Sequence, residues 1–575
     1  MTSRYLPYLV VAALAGVLIL GAAMLGSRTA PADLVLLNGK IVTVDPDRPE
    51  VQAVASRGQW IVAVGSDEEI RAHIGPDTRV VDLEGRLAIP GFVEGHGHFL
   101  GLGTAKMILD LTQADSWDQL VQMVAESARS AEPGEWILGR GWHQDKWVPA
   151  PPGTVDGVPP HHALSRVSPD NPVLLTHASG HGSIANAMAL ELAGIDRDTP
   201  DPPGGTIVRG ADGEATGYLR QAAQGLARRV QARADDQRTA EQRQAHFREQ
   251  VRLAGEEAIR YGVTSFHDAG ASLAEIDGFR ALADAGELPV RLYAMVRGAS
   301  PAALERRLPE YRLLGYGDHF LTVRSIKTQL DGALGTHGAW LLEPYADNPE
   351  TAGLPQLDPE ELRRIAEVAI RHGFQVNTHA IGDRGNQETL NIYEEVFRAN
   401  PEKTDLRWRI EHAQHLDPAD VPRFAELGVI ASMQANHCTS DGPWVPQRVG
   451  QERARTGAYV WRSLLDAGAV VTNGTDVPVE PIDPLVSFHA SITRELPDGS
   501  YFFPEQRKTR EEALYSYTMA GAISAFEEDV KGSITPGKLA DIVVLSHDIM
   551  TVPASQVRDA HVLYTVLGGQ VVYQR

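Results

Sequence analysis

The fold is decided by the stretch Leu87-Ala88-Ile89-Pro90-Gly91-Phe92-Val93-Glu94-Gly95-His96-Gly97-His98, in which an apolar β-like run leads directly into two histidines. At the end of an extended strand, side chains two positions apart point to the same face, so His96 and His98 can converge on one metal ion. Gly97 leaves room between the two imidazoles. A His-x-His pair alone indicates metal binding only weakly, so its interpretation depends on the rest of the chain.

Further ionisable residues follow apolar β-like runs later in the chain: Lys327, His379, His412 and Asp476. The active site of a parallel barrel lies at the C-terminal ends of its strands, so we expect these side chains to meet His96 and His98. Imidazoles combined with a carboxylate suit Zn²⁺ or a similar first-row ion. The pattern therefore predicts a divalent metal site.

Strand-like runs alternate with helix-like segments through the middle of the chain, which is typical of a parallel sheet with crossover helices. We predict an α/β fold whose centre, residues 89–528, is a distorted TIM-like (β/α)8 barrel. A Pro-rich stretch at about residues 116–240 is interpreted as an insertion. Residues 31–88 and 529–575 are β-rich, and they are expected to build one small β-sandwich domain from both chain ends. Asn38-Gly39 lies between two β-branched runs and predicts a hairpin.

Several motifs carry a resemblance to a known family: Pro90 to His98, Asp331-Gly332-Ala333-Leu334-Gly335, Thr378-His379-Ala380-Ile381-Gly382-Asp383, Arg409-Ile410-Glu411-His412-Ala413-Gln414, Thr475-Asp476, and Gly532 to Asp541. On these motifs the sequence resembles the amidohydrolase superfamily, in particular its YtcJ-like branch (amidohydrolase family 3), which includes N-substituted formamide deformylases. The resemblance implies a metal-dependent hydrolase that cleaves a C–N bond, other than a peptide bond, in a small-molecule substrate.

The resemblance also implies roles for individual residues. The metal shell would consist of His96, His98, His379, His412 and Asp476. Lys327 matches the position at which many members carry a carbamylated lysine that bridges two metal ions. A free ammonium repels a cation whereas a carbamate is an anionic oxygen ligand; a carbamate bridge and an unmodified structural or substrate-facing lysine both remain open. In the implied mechanism the metal acidifies a water molecule, and Asp476 takes the proton of that water and returns it to the leaving amine.

Substrate contacts remain open. His181 matches a histidine that the family places near the substrate, but Ser179 stands where the family more often has Asp, so a substrate or catalytic role and a structural role are both retained for His181. Trp142 and His143 are expected either to line the pocket from the insertion or to anchor a loop. His437 lies near the motifs, and we expect it to support the site rather than to bind metal.

The composition restricts partners and location. With a formal net charge of −22 at pH 7 and no clustered Lys and Arg, the chain lacks what nucleic-acid binding requires. A single cysteine, Cys438, excludes an intramolecular disulfide and a Cys-rich zinc site. The apolar run from about Leu6 to Leu25 predicts a signal peptide or an N-terminal membrane anchor within residues 1–30. We therefore expect export to the periplasm or another extracytoplasmic location, either free or attached to the membrane; an oligomer is compatible with the sequence.

Two other functions remain open beside hydrolysis of an amide or formamide. The same metal-dependent machinery could hydrolyse an ester or a phosphotriester, since the fold does not decide the substrate. A catalytically silent exported binding or regulatory protein could also keep the barrel. No predicted ligand position is lost in this sequence, which favours an enzyme.

Overall fold

The computed structural model describes residues 30–144, 147–177, 182–236 and 238–575. The apolar N-terminal run and His181 lie outside the described residues, so the structure does not test the predictions for them. Within the described ranges, no helix combines the length and the apolar character needed to cross a membrane.

The N-terminal part of the chain supplies strands to two sheets. Strands β1 to β7 lie at Leu34–Leu37, Lys40–Val42, Glu50–Val51, Ala53–Arg57, Trp60–Gly65, Arg79–Asp82 and Leu87–Pro90. The order β5-β4-β1-β6 forms the first sheet, whereas β3, β2 and β7 belong to the second. The hairpin predicted at Asn38-Gly39 is therefore wrong, because β1 and β2 do not pair with each other. Asn38 has the left-handed φ of 55° that a tight turn needs, but this turn carries the chain from one sheet to the other.

A parallel barrel follows. Its strands are β8 (Phe92–Gly97) and, after an insertion with strands β9 to β14, β15 (Val263–Ala271), β16 (Arg291–Val296), β18 (Leu321–Gln329), β19 (Gln375–Ala380), β20 (Arg409–His412), β21 (Ile430–Gln434) and β22 (Val471–Gly474). A short β17 (Leu313–Gly315) pairs antiparallel with β18. In the part of the chain that the structure describes, eight parallel strands are hydrogen-bonded in the order β8-β15-β16-β18-β19-β20-β21-β22.

The first and last barrel strands meet at a seam that is held by individual hydrogen bonds. The backbone N–H of Asp476 donates to the carbonyl of His96 at 2.8 Å, and that of His98 donates to Val477 at 2.7 Å. The barrel is thus nearly closed, and the predicted TIM-like α/β fold class is confirmed. Closure places the ends of β8 and β22 side by side, where His98 and Asp476 begin their loops.

The insertion forms a sheet of its own. Its strands lie at Leu109–Asp110, Ile137–Trp142, Val173–His177, Gly182–Ala185, Gly205–Arg209 and Ala215–Gln221, and they are ordered β13-β14-β12-β11-β10-β9. An apolar core that includes Trp117, Leu120 and Leu175 packs against one side of this sheet. The Pro-rich composition of the segment therefore accompanies an ordered unit rather than a set of loops.

The C-terminal strands β23 (Ile542–Leu545), β24 (Val562–Leu567) and β25 (Gln570–Gln574) complete the second sheet, which has the order β25-β24-β23-β7-β2-β3. Leu36 and Ile61 of the first sheet share one apolar core with Ile542 and Val566 of the second. Burial of this shared face joins strands that lie about five hundred residues apart in sequence.

The helices lie at Asp67–Arg71, Phe99–Met107, Trp117–Ala128, His162–Val167, Ala187–Leu192, Gln224–Asp236, Ala240–Arg260, Leu273–Ala285, Pro301–Tyr311, Tyr316–His319, Pro359–His372, Asp383–Ala399, Val421–Leu427, Ala435–Asp441, Val445–Val449, Gln451–Gly457, Trp461–Asp466, Pro484–Thr493, Arg510–Ser516 and Met519–Ser524. A typical barrel helix is Pro359–His372: the Asp358 side chain accepts the N–H of Glu360, and Gly373 ends the helix with a left-handed φ of 69°.

Candidate metal centre

His96 and His98 meet Asp476 at the seam of the barrel. Nε2 of His98 lies 3.1 Å from Oδ1 of Asp476, and Nε2 of His96 lies 3.6 Å from the same oxygen. Gly97 is required between them, because a Cβ at this position would lie 2.6 Å from the Phe266 ring. The structure therefore brings together the two histidines and the aspartate that the sequence predicts to share an ion.

His412 and Asp476 have backbone conformations that are unusual for residues with a Cβ. His412 has φ 75° and Asp476 has φ 60°, both in the left-handed region. Such conformations cost about 1–3 kcal/mol each, and in proteins they cluster at active sites and ligand sites. Both residues lie at or just beyond the end of a barrel strand, His412 at the end of β20 and Asp476 after β22.

Hydrogen bonds at the far side of two imidazoles fix their orientation. Nδ1 of His96 contacts a carboxylate oxygen of Glu411, and Nδ1 of His412 lies 2.7 Å from Oε1 of Gln434. Since both partners are acceptors, each Nδ1 carries the proton, and each Nε2 is left with a free lone pair. Histidines that bind metal ions are commonly held in this way.

His379 and Lys327 lie beside the same histidines. The ring of His379 is 4.5 Å from that of His412, and its Nε2 is 3.7 Å from Oδ1 of Asp331. Asp331 is buried and accepts the backbone N–H groups of Trp340, Ile381 and Gly382, each at 2.9 Å. Lys327 is 6% exposed, and burial lowers the pKa of its amine to about 8, although Glu411 and Asp476 oppose the shift.

His437 reaches the centre as well. It follows β21 on the helix Ala435–Asp441, and its Nε2 lies 3.8 Å from Oδ2 of Asp476. Its ring stacks on His412 with a centroid distance of 6.1 Å. The sequence predicts only a supporting role for His437.

The charge states of the cluster suit a cation. Burial, with the charge of Lys327, lowers the pKa of His96 to about 4; burial likewise holds the pKa of His379 and His412 well below the ordinary value. Burial alone would raise the pKa of Asp476, but the surrounding imidazoles outweigh it and hold that pKa well below its usual value. His96, His379 and His412 are thus neutral imidazoles beside an ionised carboxylate, which is the form that metal ions bind.

Unsatisfied nitrogen atoms provide an independent test of whether a metal ion fits. In the part of the chain that the structure describes, the buried Nε2 atoms of His96, His379 and His437 have no hydrogen-bond partner. Buried polar atoms are normally paired, so a converging set of unpaired lone pairs calls for a further group between them. Within the described residues, two sets have ligand atoms that lie within 4.8 Å of one another: His96, His98 and Asp476, and His412, His437 and Asp476. The residues fit a divalent metal ion.

Further buried residues of the centre lie in the same motifs, and no role was predicted for them. Arg409 and Glu411 are fully buried and form an ion pair of 2.7 Å inside the barrel. Glu94 accepts the N–H of Thr475 at 2.6 Å and its hydroxyl at 3.0 Å, which ties β8 to β22, and burial raises the pKa of Glu94 to about 8. Charged residues inside a barrel strand are the signal that could have revealed them, since burial of a charge requires a partner.

The predicted substrate residues lie in the insertion. Trp142 is fully buried in the core of the inserted sheet, where its Nε1 donates to the carbonyl of Leu175 at 2.8 Å. His143 follows it, with its ring 4.7 Å from that of His177. The position of Trp142 is that of a core residue, while the substrate roles of Trp142, His143 and His181 stay predictions.

Comparison with known proteins agrees with this geometry. A family model described as "Amidohydrolase family" matches residues 79–573. Protein LONG AFTER FAR-RED 3 of Arabidopsis thaliana is 35% identical over 94% of this chain and 92% of that protein. Putative amidohydrolase YtcJ of Bacillus subtilis is 32% identical over 93% and 98%.

A third relative and a solved structure extend the comparison. N-substituted formamide deformylase of Arthrobacter pascens is 27% identical over 94% of this chain and 98% of that protein. The crystal structure of an uncharacterized metal-dependent hydrolase from Pyrococcus horikoshii superposes with a TM-score of 0.71 at 27% identity, covering 91% and 99% of the two chains. The predicted resemblance is confirmed.

Proposed function

Because this chain belongs to the amidohydrolase family, we propose that it hydrolyses a C–N bond in an amide or formamide-like small molecule with the help of a divalent metal ion. The observation that carries the proposal is the convergence of His96 and His98 on one oxygen of Asp476. The similarity to a protein named N-substituted formamide deformylase supports the choice of a C–N bond.

The donors proposed to hold the ion are the imidazole nitrogens of His96 and His98 and the carboxylate of Asp476. Zn²⁺ accepts this combination, as do other first-row divalent ions, and Zn²⁺ is the ion we propose. A bound divalent ion supplies polarisation of the substrate carbonyl and acidification of water.

The chain's own residues perform the remaining work. Asp476 presents a carboxylate oxygen to the cluster, accepts the proton of the attacking water and donates it to the leaving nitrogen. Glu411 and Gln434 keep the lone pairs of His96 and His412 directed into the cluster. Lys327 is buried beside the same residues, and a carbamate at its Nζ would add an anionic oxygen donor.

The test compares substrates with matched leaving groups. The purified protein is assayed with an N-substituted formamide, the corresponding acetamide, an ester and a phosphotriester, before and after removal of metal with a chelator and after addition of Zn²⁺. We expect turnover of an amide or formamide that is lost with the metal and restored by Zn²⁺. Asp476→Asn should lower kcat by about 10²–10⁴-fold, as for loss of a proton-transferring group.

The alternatives are separated by the same assay. Faster turnover of the ester or phosphotriester than of the matched amide would contradict the C–N assignment. Activity that survives complete metal removal would contradict the metal-dependent mechanism. Full activity of the Asp476→Asn variant would remove Asp476 from proton transfer.

We further propose that the protein is exported, on the basis of the apolar run from about Leu6 to Leu25. The two forms of this proposal differ in the mature N-terminus, because a signal peptide is cleaved and an anchor is retained. Fractionation of cells followed by N-terminal sequencing tests it. Recovery of the uncleaved protein in the cytosol would overturn it.

A further inference from the structure

Two positively charged side chains are buried beyond the last barrel strand, and within the described residues neither forms an ion pair with a carboxylate. Arg494 follows the helix Pro484–Thr493 and is 0% exposed, and Lys508 lies just before the helix Arg510–Ser516 and is 3% exposed. Charged side chains are rarely buried so completely unless a group of opposite charge pairs with them. The region therefore lacks a negative charge.

Both cations lie against the same indole ring. Cζ of Arg494 is 4.5 Å and Nζ of Lys508 is 5.4 Å from the centre of the Trp461 ring. The ring face attracts a cation but accepts no ordinary hydrogen bond. In the ranges that the structure describes, Nη2 of Arg494 and Nε1 of Trp461 are buried without a hydrogen-bond partner, and Nζ of Lys508 makes no hydrogen bond. Three donor groups are thus left without an acceptor.

The guanidinium of Arg494 is held in one orientation by backbone carbonyls. Its Nε donates to the carbonyl of Phe502 at 2.6 Å, and its Nη1 donates to that of Tyr459 at 2.8 Å. Because a guanidinium is planar, these two bonds also fix the direction of the N–H groups of Nη2. Nη2 is therefore a preset donor for a further group.

The one carboxylate that acts on Lys508 from nearby is already engaged. Glu512 lies 2.6 Å from Nη2 of Arg462 and accepts the backbone N–H of Thr509 at 2.7 Å. Burial, with the charges of Arg462 and Arg494, lowers the pKa of Lys508 to about 7, although Glu512 opposes the shift. The surroundings of the Lys508 amine are thus short of one negative charge.

The chemistry of these groups indicates the class of ligand. Donors without acceptors suit an anion, and hydrogen bonds in which one partner is charged are the stronger ones. Only a small anion suits the site, because Trp461 and Arg494 are fully buried and Lys508 is nearly so. Chloride and formate have this size, and each carries the single charge that Lys508 lacks.

We propose that the protein binds a small monovalent anion, chloride or a carboxylate of the size of formate, between Nζ of Lys508, Nε1 of Trp461 and Nη2 of Arg494. The ligand sets of the metal centre include none of these residues, so the inference does not depend on the proposed function. The anion would join the helix Trp461–Asp466 to the segment that follows the last barrel strand.

The line width of the chloride NMR signal tests binding in solution, because the line broadens when the ion exchanges with a protein site. The purified full chain is compared as wild type, Lys508→Met and Lys531→Met. Lys531→Met is the matched control, since Lys531 is also a buried lysine but pairs with Glu527 and donates to the Ser265 hydroxyl at 3.1 Å. We expect chloride affinity to fall about 10–100-fold in Lys508→Met and to stay unchanged in the control.

Formate, added at constant ionic strength, distinguishes the two kinds of anion. Reversal of the broadening by formate would show that a carboxylate occupies the same site, and broadening that formate leaves unchanged would restrict the site to a halide. Either anion that binds should also raise the urea concentration at which the wild type unfolds, whereas Lys508→Met should unfold at the same concentration with and without it.

Crystals of the wild type grown with bromide in place of chloride locate the ion without any variant. We expect an anomalous peak in contact with Nε1 of Trp461 and Nζ of Lys508. A bromide-saturated crystal without this peak would overturn the inference. Equal broadening by the wild type and Lys508→Met would place chloride elsewhere and overturn it as well. A wild type that responds to neither chloride nor formate would mean that Lys508 is buried uncharged.

Discussion

Nδ1 of His412 lies 2.7 Å from Oε1 of Gln434, the last residue of the neighbouring barrel strand. This contact fixes the tautomer of His412 and directs its Nε2 into the cluster. Gln434→Leu removes the acceptor while keeping a side chain of similar size. We expect metal affinity to fall about 10–100-fold, as for other partners of metal-binding histidines. Competition with a chelator of known affinity measures the change.

Gln434→Glu is the matched control for this prediction. It preserves an oxygen acceptor for Nδ1 of His412, so it should bind metal far more tightly than Gln434→Leu. Equal affinities of the wild type and Gln434→Leu would show that this contact does not orient the imidazole.

The ion pair of Arg409 and Glu411 predicts that removing one partner lowers the stability of the protein more than replacing both partners. Both side chains are fully buried, and Glu411→Leu leaves the guanidinium without its carboxylate. Loss of one partner of a buried ion pair costs about 3–5 kcal/mol, whereas replacing both by apolar residues costs much less. Glu411→Leu should therefore be less stable than Arg409→Met/Glu411→Leu, as measured by urea unfolding of the metal-free protein.

A different result would contradict the dominant role of this ion pair. If the double variant unfolds at a lower urea concentration than Glu411→Leu, the pair is not the dominant interaction of Arg409. Its hydrogen bonds to the Gly95 carbonyl at 2.6 Å and the Ser432 hydroxyl at 2.7 Å would then be the contacts that stabilise the barrel interior.

Much of the candidate centre could be predicted from the sequence, because the residues expected to bind metal follow local rules. His96 and His98 are two residues apart at a strand end, and Asp476 follows the last apolar β-run, so strand geometry alone brings them to one face. The parallel barrel places the ends of all its strands at one rim. The predicted convergence of His98 and Asp476 is accordingly seen at 3.1 Å.

Residues whose direction depends on a neighbouring element could not be predicted in this way. His437 lies on a helix whose start is tied by Asn436 to Thr475, next to Asp476. Arg409 and Glu411 lie in a strand that is buried on both faces, so the sequence pattern does not say which residues face the barrel interior.

The hairpin at Asn38-Gly39 shows a related limit of sequence patterns. The turn chemistry is local and was predicted, but strand pairing depends on which apolar faces are buried together. Burial against Ile542 and Val566 places β1 and β2 in different sheets. The sheet of the insertion was not predicted either. Its β10 pairs with β9 and β11 across intervening helices, although β11 with β12 and β13 with β14 pair over short distances in sequence.

Two substitutions of Glu94, at the barrel seam, are expected to differ in metal affinity. It accepts both the N–H and the hydroxyl of Thr475, which precedes Asp476. Glu94→Gln keeps an acceptor for the N–H and can donate its amide to the hydroxyl, whereas Glu94→Ala loses both contacts. We expect Glu94→Ala to weaken metal binding about 10–100-fold, and Glu94→Gln to remain near the wild type. Calorimetric titration of the metal-free proteins with Zn²⁺ distinguishes them; equal affinities would remove Glu94 as a positioning residue.

His415 predicts a pH dependence of stability that can be isolated from the rest of the protein. It is 4% exposed, and burial, with the charge of Arg453, lowers its pKa to about 3 from 6.5. Below pH 6.5 the unfolded chain binds a proton at this residue that the folded chain does not bind. The stability that His415 contributes in its neutral form is therefore present above pH 6.5 and is lost as the pH falls toward 3.

The expected change in stability follows from the lowered pKa of His415. Between pH 7.5 and pH 5 the wild type should lose about 2 kcal/mol of stability through His415, at about 1.4 kcal/mol for each pH unit below 6.5. His415→Gln has no such group, so its stability relative to the wild type should rise by that amount over the same interval. Urea unfolding of both metal-free proteins at the two pH values measures the difference. The buried imidazoles of the metal centre titrate in both proteins and cancel, so a difference independent of pH would mean that His415 is protonated in the folded state.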